Sequence, residues 1–214
     1  VLKKDLAKAG NEKRFAKDKK FWDDQLDALG EPLYSDIQGP SVLEEARKRH
    51  GNPKLRSSDI EMKDLFVAVK DYYLEPGPTK NLIDFCMNHQ LSMTNLLLLG
   101  IRTYLSKVNN GQEDITIQNF ISRRSTHDEW TSGGSRTIMF PCRTVIAPET
   151  DFLSAAYEIQ NMQNRIYMHS NYDPAFIMDE MRKRYNTPEH TGYESCYLTY
   201  QPCLLYTSDA ADEL

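Results

Sequence analysis

The stretch GQEDITIQNFISRRSTHDEWTSGGSRTIMFPCRTVI, residues 111–146, decides the fold. In its first part Ile115, Ile117 and Ile121 fall on one side of a two-residue period, the pattern of a strand with a buried face. A polar loop over 124–135 follows, then a second strand from Arg136 to Ile146. Pro141 sits inside that second strand. Proline has no N–H to give to a ladder, so the run predicts an edge strand or a bulge.

Helical patterns flank this pair. Upstream, Ser92 can cap a helix in which Met93, Leu96, Leu97, Tyr104, Leu105 and Val108 recur at helical spacing, ended by Asn109, Asn110 and Gly111. Its apolar residues run nearly all round, which predicts burial. Pro78 and Thr79 open a further helix over 79–89. Residues 59–74 alternate through Leu65, Val67 and Val69 and predict a strand. Earlier still, Phe15, Trp22, Leu26 and Leu29 form one stripe of an amphipathic helix over 11–29, stopped by Gly30. Residues 30–58, rich in proline and glycine, read as a connector with a short helix near 41–49.

Downstream, Phe152, Ala156, Ile159, Met162 and Ile166 mark the core face of a helix over 151–169. Asp173 before Pro174 starts another, because proline at the first helical position loses no hydrogen bond. Residues 194–201 alternate again through Cys196, Leu198 and Tyr200 and predict a last strand. The sum is an α/β domain of mixed order.

Composition narrows the classes of function without naming one. The 214 residues are 40% hydrophobic and 27% charged, with net charge -5, which fits a globular chain with a sizeable core and not a disordered one. The longest apolar run, Leu96 to Ile101, is far too short to cross a bilayer, so no membrane partner is expected. Residues 1–20 hold eight Lys or Arg against three Asp or Glu. They lack the interleaved aromatics of a stacking surface, so a solvated helix face is expected and not a nucleic-acid site. Cys86, Cys142, Cys196 and Cys203 are widely spaced with no CxxC pair, which predicts reduced thiols, a cytoplasmic location and no metal site.

Residues 80–185 resemble the C-terminal half of a nonribosomal peptide synthetase condensation domain. The family has a leucine-rich helix, then a GQ-D-D-I strand ending in an arginine, matched here by GQEDITIQNFISRRS with Arg124 in register. About ten residues later the family has G-x-x-V-N-T-x-P-x-R. Here Gly134 is followed by Pro141 and Arg143 at the family's offsets, seven and nine. MHSNYDPAF resembles the family's H-Q-x-x-P-F segment through His169, Pro174 and Phe176, and FWDDQL resembles the helix joining the two halves of such domains. Two departures stand out: Ser135 to Ile138 replaces F-V-N-T, and Gln118-Asn119-Phe120 replaces G-T-P.

The resemblance implies a chloramphenicol acetyltransferase-like fold. Residues 1–56 would be a helical linker from a preceding N-terminal lobe, and 57–202 an incomplete C-terminal lobe. It implies amide formation between a donor acyl or aminoacyl thioester and an amine acceptor, each on the phosphopantetheine arm of a carrier protein. No cofactor would be bound directly. Peptidyl or acyl carrier proteins would be the partners, with an adjacent adenylation domain in the parent protein.

The family's catalytic histidine lies in an HHxxxDG motif, and no HHxxxDG occurs in these residues. The chain is therefore expected to be a fragment, inactive alone and without a catalytic residue of its own. Two other readings stay open: a stand-alone acyltransferase of the same fold, and a non-catalytic condensation-like module that docks carriers. Residues 203–213, CLLYTSDAADE, read as the translation of a transposon-based sequencing adapter, so 203–214 is expected to be an artefact and not natural sequence.

Arg124 has the strongest functional reading, since the matching arginine in the family pairs with the aspartate of HHxxxDG and braces the active-site loop. Guanidinium suits that task because it offers a rigid fork to a carboxylate. Arg143, at a strand edge, is expected to be solvated. His169 follows a long helix with no nucleophile near it in sequence, so a helix-end or packing role is expected. His50, His89, His127 and His190 are scattered and read as surface residues. Ser122 and Ser125 lie in no G-x-S-x-G elbow, which argues against a hydrolase. Gly133-Gly134 precedes a strand and so makes no phosphate loop. Tyr193, Tyr197 and Tyr200 are expected to pack on a sheet.

Overall fold

The structure is a computed structural model describing residues 3, 7, 10–60, 68–124, 126–133 and 135–201. Helix α1, Glu12–Leu29, starts where the Asn11 side chain accepts the Arg14 N–H, and stops where Gly30 takes φ 66° and donates to the Leu26 carbonyl. The connector holds α2, Ser41–Arg49, and then β1, Ser58–Asp59. Helix α3, Pro76–Asn88, and helix α4, Met93–Val108, follow, the second capped by Ser92. The hairpin pairs β2, Asp114–Ser122, with β3, Thr137–Val145, and its loop carries the single turn α5, His127–Thr131. Helix α6, Phe152–Met168, helix α7, Pro174–Tyr185, β4, Thr191–Gly192, and β5, Tyr197–Leu198, complete the order.

The main sheet has the order β3-β2-β5, antiparallel on one side of β2 and parallel on the other, and is therefore mixed. Strand β3 is one of its two edges among the described residues, and Pro141 lies opposite Gln118 without a break in register. The expected edge position is what permits the proline. A second, two-stranded sheet joins β1 to β4.

One hydrophobic core draws on α1, α4, β2, β3, α6 and α7, with Trp22, Leu98, Leu105, Ile117, Phe140, Ile159 and Ile177 among its members. Trp22 stacks on Phe140 with ring centroids 5.7 Å apart and planes 7° from parallel. Two polar links cross this core. Asn119 on β2 donates to the Gln163 side chain on α6 at 2.9 Å. Arg102, buried on α4, donates to Thr144 at 3.1 Å and to the Ile146 carbonyl at 2.9 Å.

Several expectations change. Of the strand expected over 59–74, only Asp59 lies in a strand among the described residues, as the second residue of β1. Residues 61–67 lie outside the described residues, and 68–75 are in no strand. Val69, Tyr72, Tyr73 and Leu74 are exposed, while Leu65 and Val67 of the expected alternation lie outside the described residues. The last strand shrinks from 194–201 to Tyr197–Leu198, with an isolated bridge from Ser35 to Glu194. Tyr193 is buried as expected of a packing residue, while Tyr197 and Tyr200 are exposed. Helix α4 is not apolar all round: Arg102 is buried on it and Tyr104 is exposed. Phe15, Leu29 and Phe152, placed on core stripes from spacing, are exposed as well. The adapter-like residues 203–214 and Gly134 lie outside the described residues.

Candidate functional site

The hairpin β2–β3 carries most of the residues singled out by sequence, but spreads them along its length. At its loop end, α5 is built by a capping box. Glu129 N–H donates to the Thr126 hydroxyl at 3.3 Å, and Thr126 N–H donates to the Glu129 carboxylate at 3.1 Å. Glu129 is buried and lies 3.6 Å from the Arg136 guanidinium. Arg124 donates to the Glu129 carbonyl, and to the Ser132 carbonyl at 2.9 Å. It therefore ties down the C-terminal end of the turn, where carbonyls carry partial negative charge. Arg123 is exposed, and its backbone N–H pairs with the Arg136 carbonyl.

At the other end of the hairpin, Arg143 makes a two-point fork to Asp114, Nε to Oδ1 at 2.8 Å and Nη2 to Oδ2 at 2.7 Å. The same guanidinium donates to the carbonyls of Gly30 at 2.6 Å and Leu29 at 3.1 Å. Its side chain is 12% exposed. The solvated role expected of Arg143 is thus overturned: the strand edge is covered by the end of α1, whose last carbonyls lack helical partners and take the guanidinium instead. Arg143 pairs with Thr116 across the hairpin, eight residues before Arg124, roughly 26 Å along the strand direction, and the two arginines form no shared cluster.

His169 is the C-cap of α6. Its Nδ1 lies 2.8 Å from the buried carboxylate of Asp18, and its ring stacks on Phe21 at 4.2 Å. The Arg165 guanidinium stands 5.1 Å over the same Phe21 ring. His169 thus packs at a helix end, pinning the first half of α1, while Arg143 pins its last turn.

Pro141 and Arg143 line a small cavity with Trp22, Thr116 and Glu194. Glu194 accepts from the Gln118 side-chain amide and from the Tyr193 N–H. Burial pushes its carboxyl above the usual carboxylate range, against the pull of those two hydrogen bonds. Sequence reasoning missed Glu194, Asp114 and Asp18. Each is one acidic residue among 31, and only the fold reveals its partner.

Burial raises the thiols of Cys86 and Cys196, and that of Cys142 to about 11, so they are poor nucleophiles at neutral pH. Among the described residues no group of three or more His, Cys, Asp or Glu could hold a metal ion. No helix of the described residues is long and apolar enough to cross a membrane.

Comparison with known proteins gives these geometries a context. Residues 4–193 match the condensation domain family. The chain is 22% identical over 200 residues to a plipastatin synthase of Bacillus subtilis (strain 168), covering 93% of this chain and 7% of that protein. Among solved structures, the first condensation domain of the calcium-dependent antibiotic synthetase, in complex with a substrate analogue, superposes with TM-score 0.68 at 14% identity. That match covers 92% of this chain and 39% of the other. VibH, a nonribosomal peptide synthetase condensation enzyme, superposes with TM-score 0.60 at 14% identity, covering 90% and 39%. The chain thus spans well under half the length of the relatives it matches.

Proposed function

The chain belongs to the condensation domain family and has its chloramphenicol acetyltransferase-like fold, and from that premise we propose that it is the C-terminal lobe of an amide-forming condensation domain. In the reaction, the amine of an acceptor attacks the thioester carbonyl of a donor. The C–N bond forms, the C–S bond breaks, and the proton lost by the amine leaves with the phosphopantetheine thiol. Both substrates would arrive on carrier proteins, and an adenylation domain would load them in the parent protein.

The family match over residues 4–193 carries this reading. It also supports a division of labour. An amide-forming site needs a histidine to handle the attacking amine and electrostatic support for the tetrahedral oxyanion. His169 is engaged with Asp18 and Phe21. We assign the reacting histidine to a part of the domain that this chain does not include. To this chain we assign one wall of the substrate channel, with Arg124 as a positioning residue.

The coding sequence read upstream of Val1 tests the division. It should encode HHxxxDG within the preceding few hundred residues, and the present chain alone should yield no amide from aminoacyl carriers. An upstream frame without that motif, or amide product from this chain alone, contradicts it.

A further inference from the structure

An open groove of about 530 Å³ runs beside the last residues of β3, bounded by one face of α1 and one face of α6. Helix α6 contributes Glu158, Asn161, Met162 and Arg165, which share one face because they recur at steps of three, four and seven. Four charged side chains line the groove, and two are already committed: Arg143 to Asp114 and Asp24 to Lys20, each at 2.7 Å. The side chains of Glu158 and Arg165 make no ion pair or hydrogen bond among the described residues. The Arg165 guanidinium rests over the Phe21 ring, which leaves its donors unused.

The strand brings main-chain groups to the same place. Ile146 N–H donates to the Glu113 carbonyl and Arg123 N–H to that of Arg136, so even-numbered residues of β3 turn toward β2. Arg143 and Val145 therefore turn their N–H and C=O groups to the open edge, where no main-chain bond from another described segment reaches them.

We propose that this groove binds a short extended peptide with free termini, its amine at Glu158, its carboxylate at Arg165 and its main chain paired with Val145. The spacing selects the length. Seven helical residues separate the two charges by roughly 10 Å, the span of about three residues of extended chain. A single amino acid reaches only one of the two. Addition of a strand to an exposed sheet edge supplies main-chain hydrogen bonds whatever the side chains. Leu29 and Met162 line both this groove and the small apolar cavity beside it, which gives an apolar central side chain a seat.

Titration calorimetry of the 214-residue chain with the tripeptide Ala-Leu-Ala, at low salt, tests the proposal. Saturable one-to-one binding is expected, weakened about fivefold by N-acetylation, by C-terminal amidation, by Glu158→Gln and by Arg165→Gln. Glu158→Gln should cost nothing further against the acetylated peptide, whose amine is already gone. In amide NMR spectra the free peptide should shift Val145. The proposal is overturned by the absence of saturable binding, by capped peptides that bind as tightly as the free one, or by two variants that both bind like the parent. Should a variant not fold, the capped peptides and the Val145 shift decide on the parent alone.

Discussion

Arg143 and Asp114 form a bidentate ion pair whose cation also closes the end of α1 through the Leu29 and Gly30 carbonyls. Both side chains are largely buried, 12% and 17% exposed. Removing one partner of such a pair leaves a charge and three or more lone pairs without their donors. Arg143→Ala should lower unfolding stability by about 3 kcal/mol. Arg143→Lys should recover only part of it, since an ammonium cannot reproduce the fork. Urea denaturation of the two variants checks this, and an Arg143→Ala midpoint equal to the parent's contradicts it.

The Asp18–His169 contact fixes the other half of α1. Asp18 is buried, and its neighbours are His169 at 2.8 Å and Arg14 at 3.8 Å. Asp18→Ala should cost roughly 1.5–3 kcal/mol, the range for a hydrogen bond to a charged group. Hydrogen exchange should show the loss first in residues 12–22, because the later turns of α1 keep Arg143 and Arg184, which holds Asp23 at 3.3 Å. Uniform loss of protection along α1 would argue against separate fastenings.

Glu194 predicts a pH dependence with a definite sign. Burial raises its folded pKa, so the folded protein holds this proton more tightly than the unfolded chain. Its contribution is fully present below the ordinary value of 4.5 and is lost as pH rises through the higher folded value. Glu194→Gln cannot ionise and should therefore flatten the decline of stability above pH 4.5. Denaturation midpoints of parent and variant across that window should converge at acid pH and diverge above it. Parallel curves would show that Glu194 is solvated.

Arg124 should act locally. It holds the Glu129 and Ser132 carbonyls, so Arg124→Ala should raise amide exchange across residues 126–133 and cost about 1 kcal/mol globally. Arg123→Ala, at an exposed neighbour, should leave both unchanged. The reverse outcome would assign the bracing role to Arg123.

Elements with a local signal were legible in the sequence. Ser92, Asp173 and Gly30 mark helix ends through their own side chains or lack of one, and α4, α7 and α1 begin or end there. The β2–β3 pair followed from the isoleucine period and the proline at the edge. Position on a helical stripe was a poorer guide to burial. Phe15 and Leu29 lie on the expected stripe of α1 yet are exposed, Phe15 meeting the Tyr172 and Phe176 rings, while Phe21 enters the core one step off it. Of the alternation through Leu65, Val67 and Val69, only Val69 lies among the described residues, and it is exposed. Long-range polar pairs were the least legible part: Arg143 with Asp114, and His169 with Asp18, 151 residues apart, depend on the tertiary fold alone. Arg124 could be singled out only through its family register.

We propose amide formation by a condensation domain of which this chain is one lobe. Its most direct test is intact-mass spectrometry of the acceptor carrier. The chain, expressed together with its upstream coding sequence, is mixed with a donor-loaded and an acceptor-loaded carrier. The acceptor carrier should gain the mass of the donor acyl group while the donor carrier returns to the free phosphopantetheine thiol. An acceptor carrier of unchanged mass, with donor lost only to hydrolysis, would contradict it.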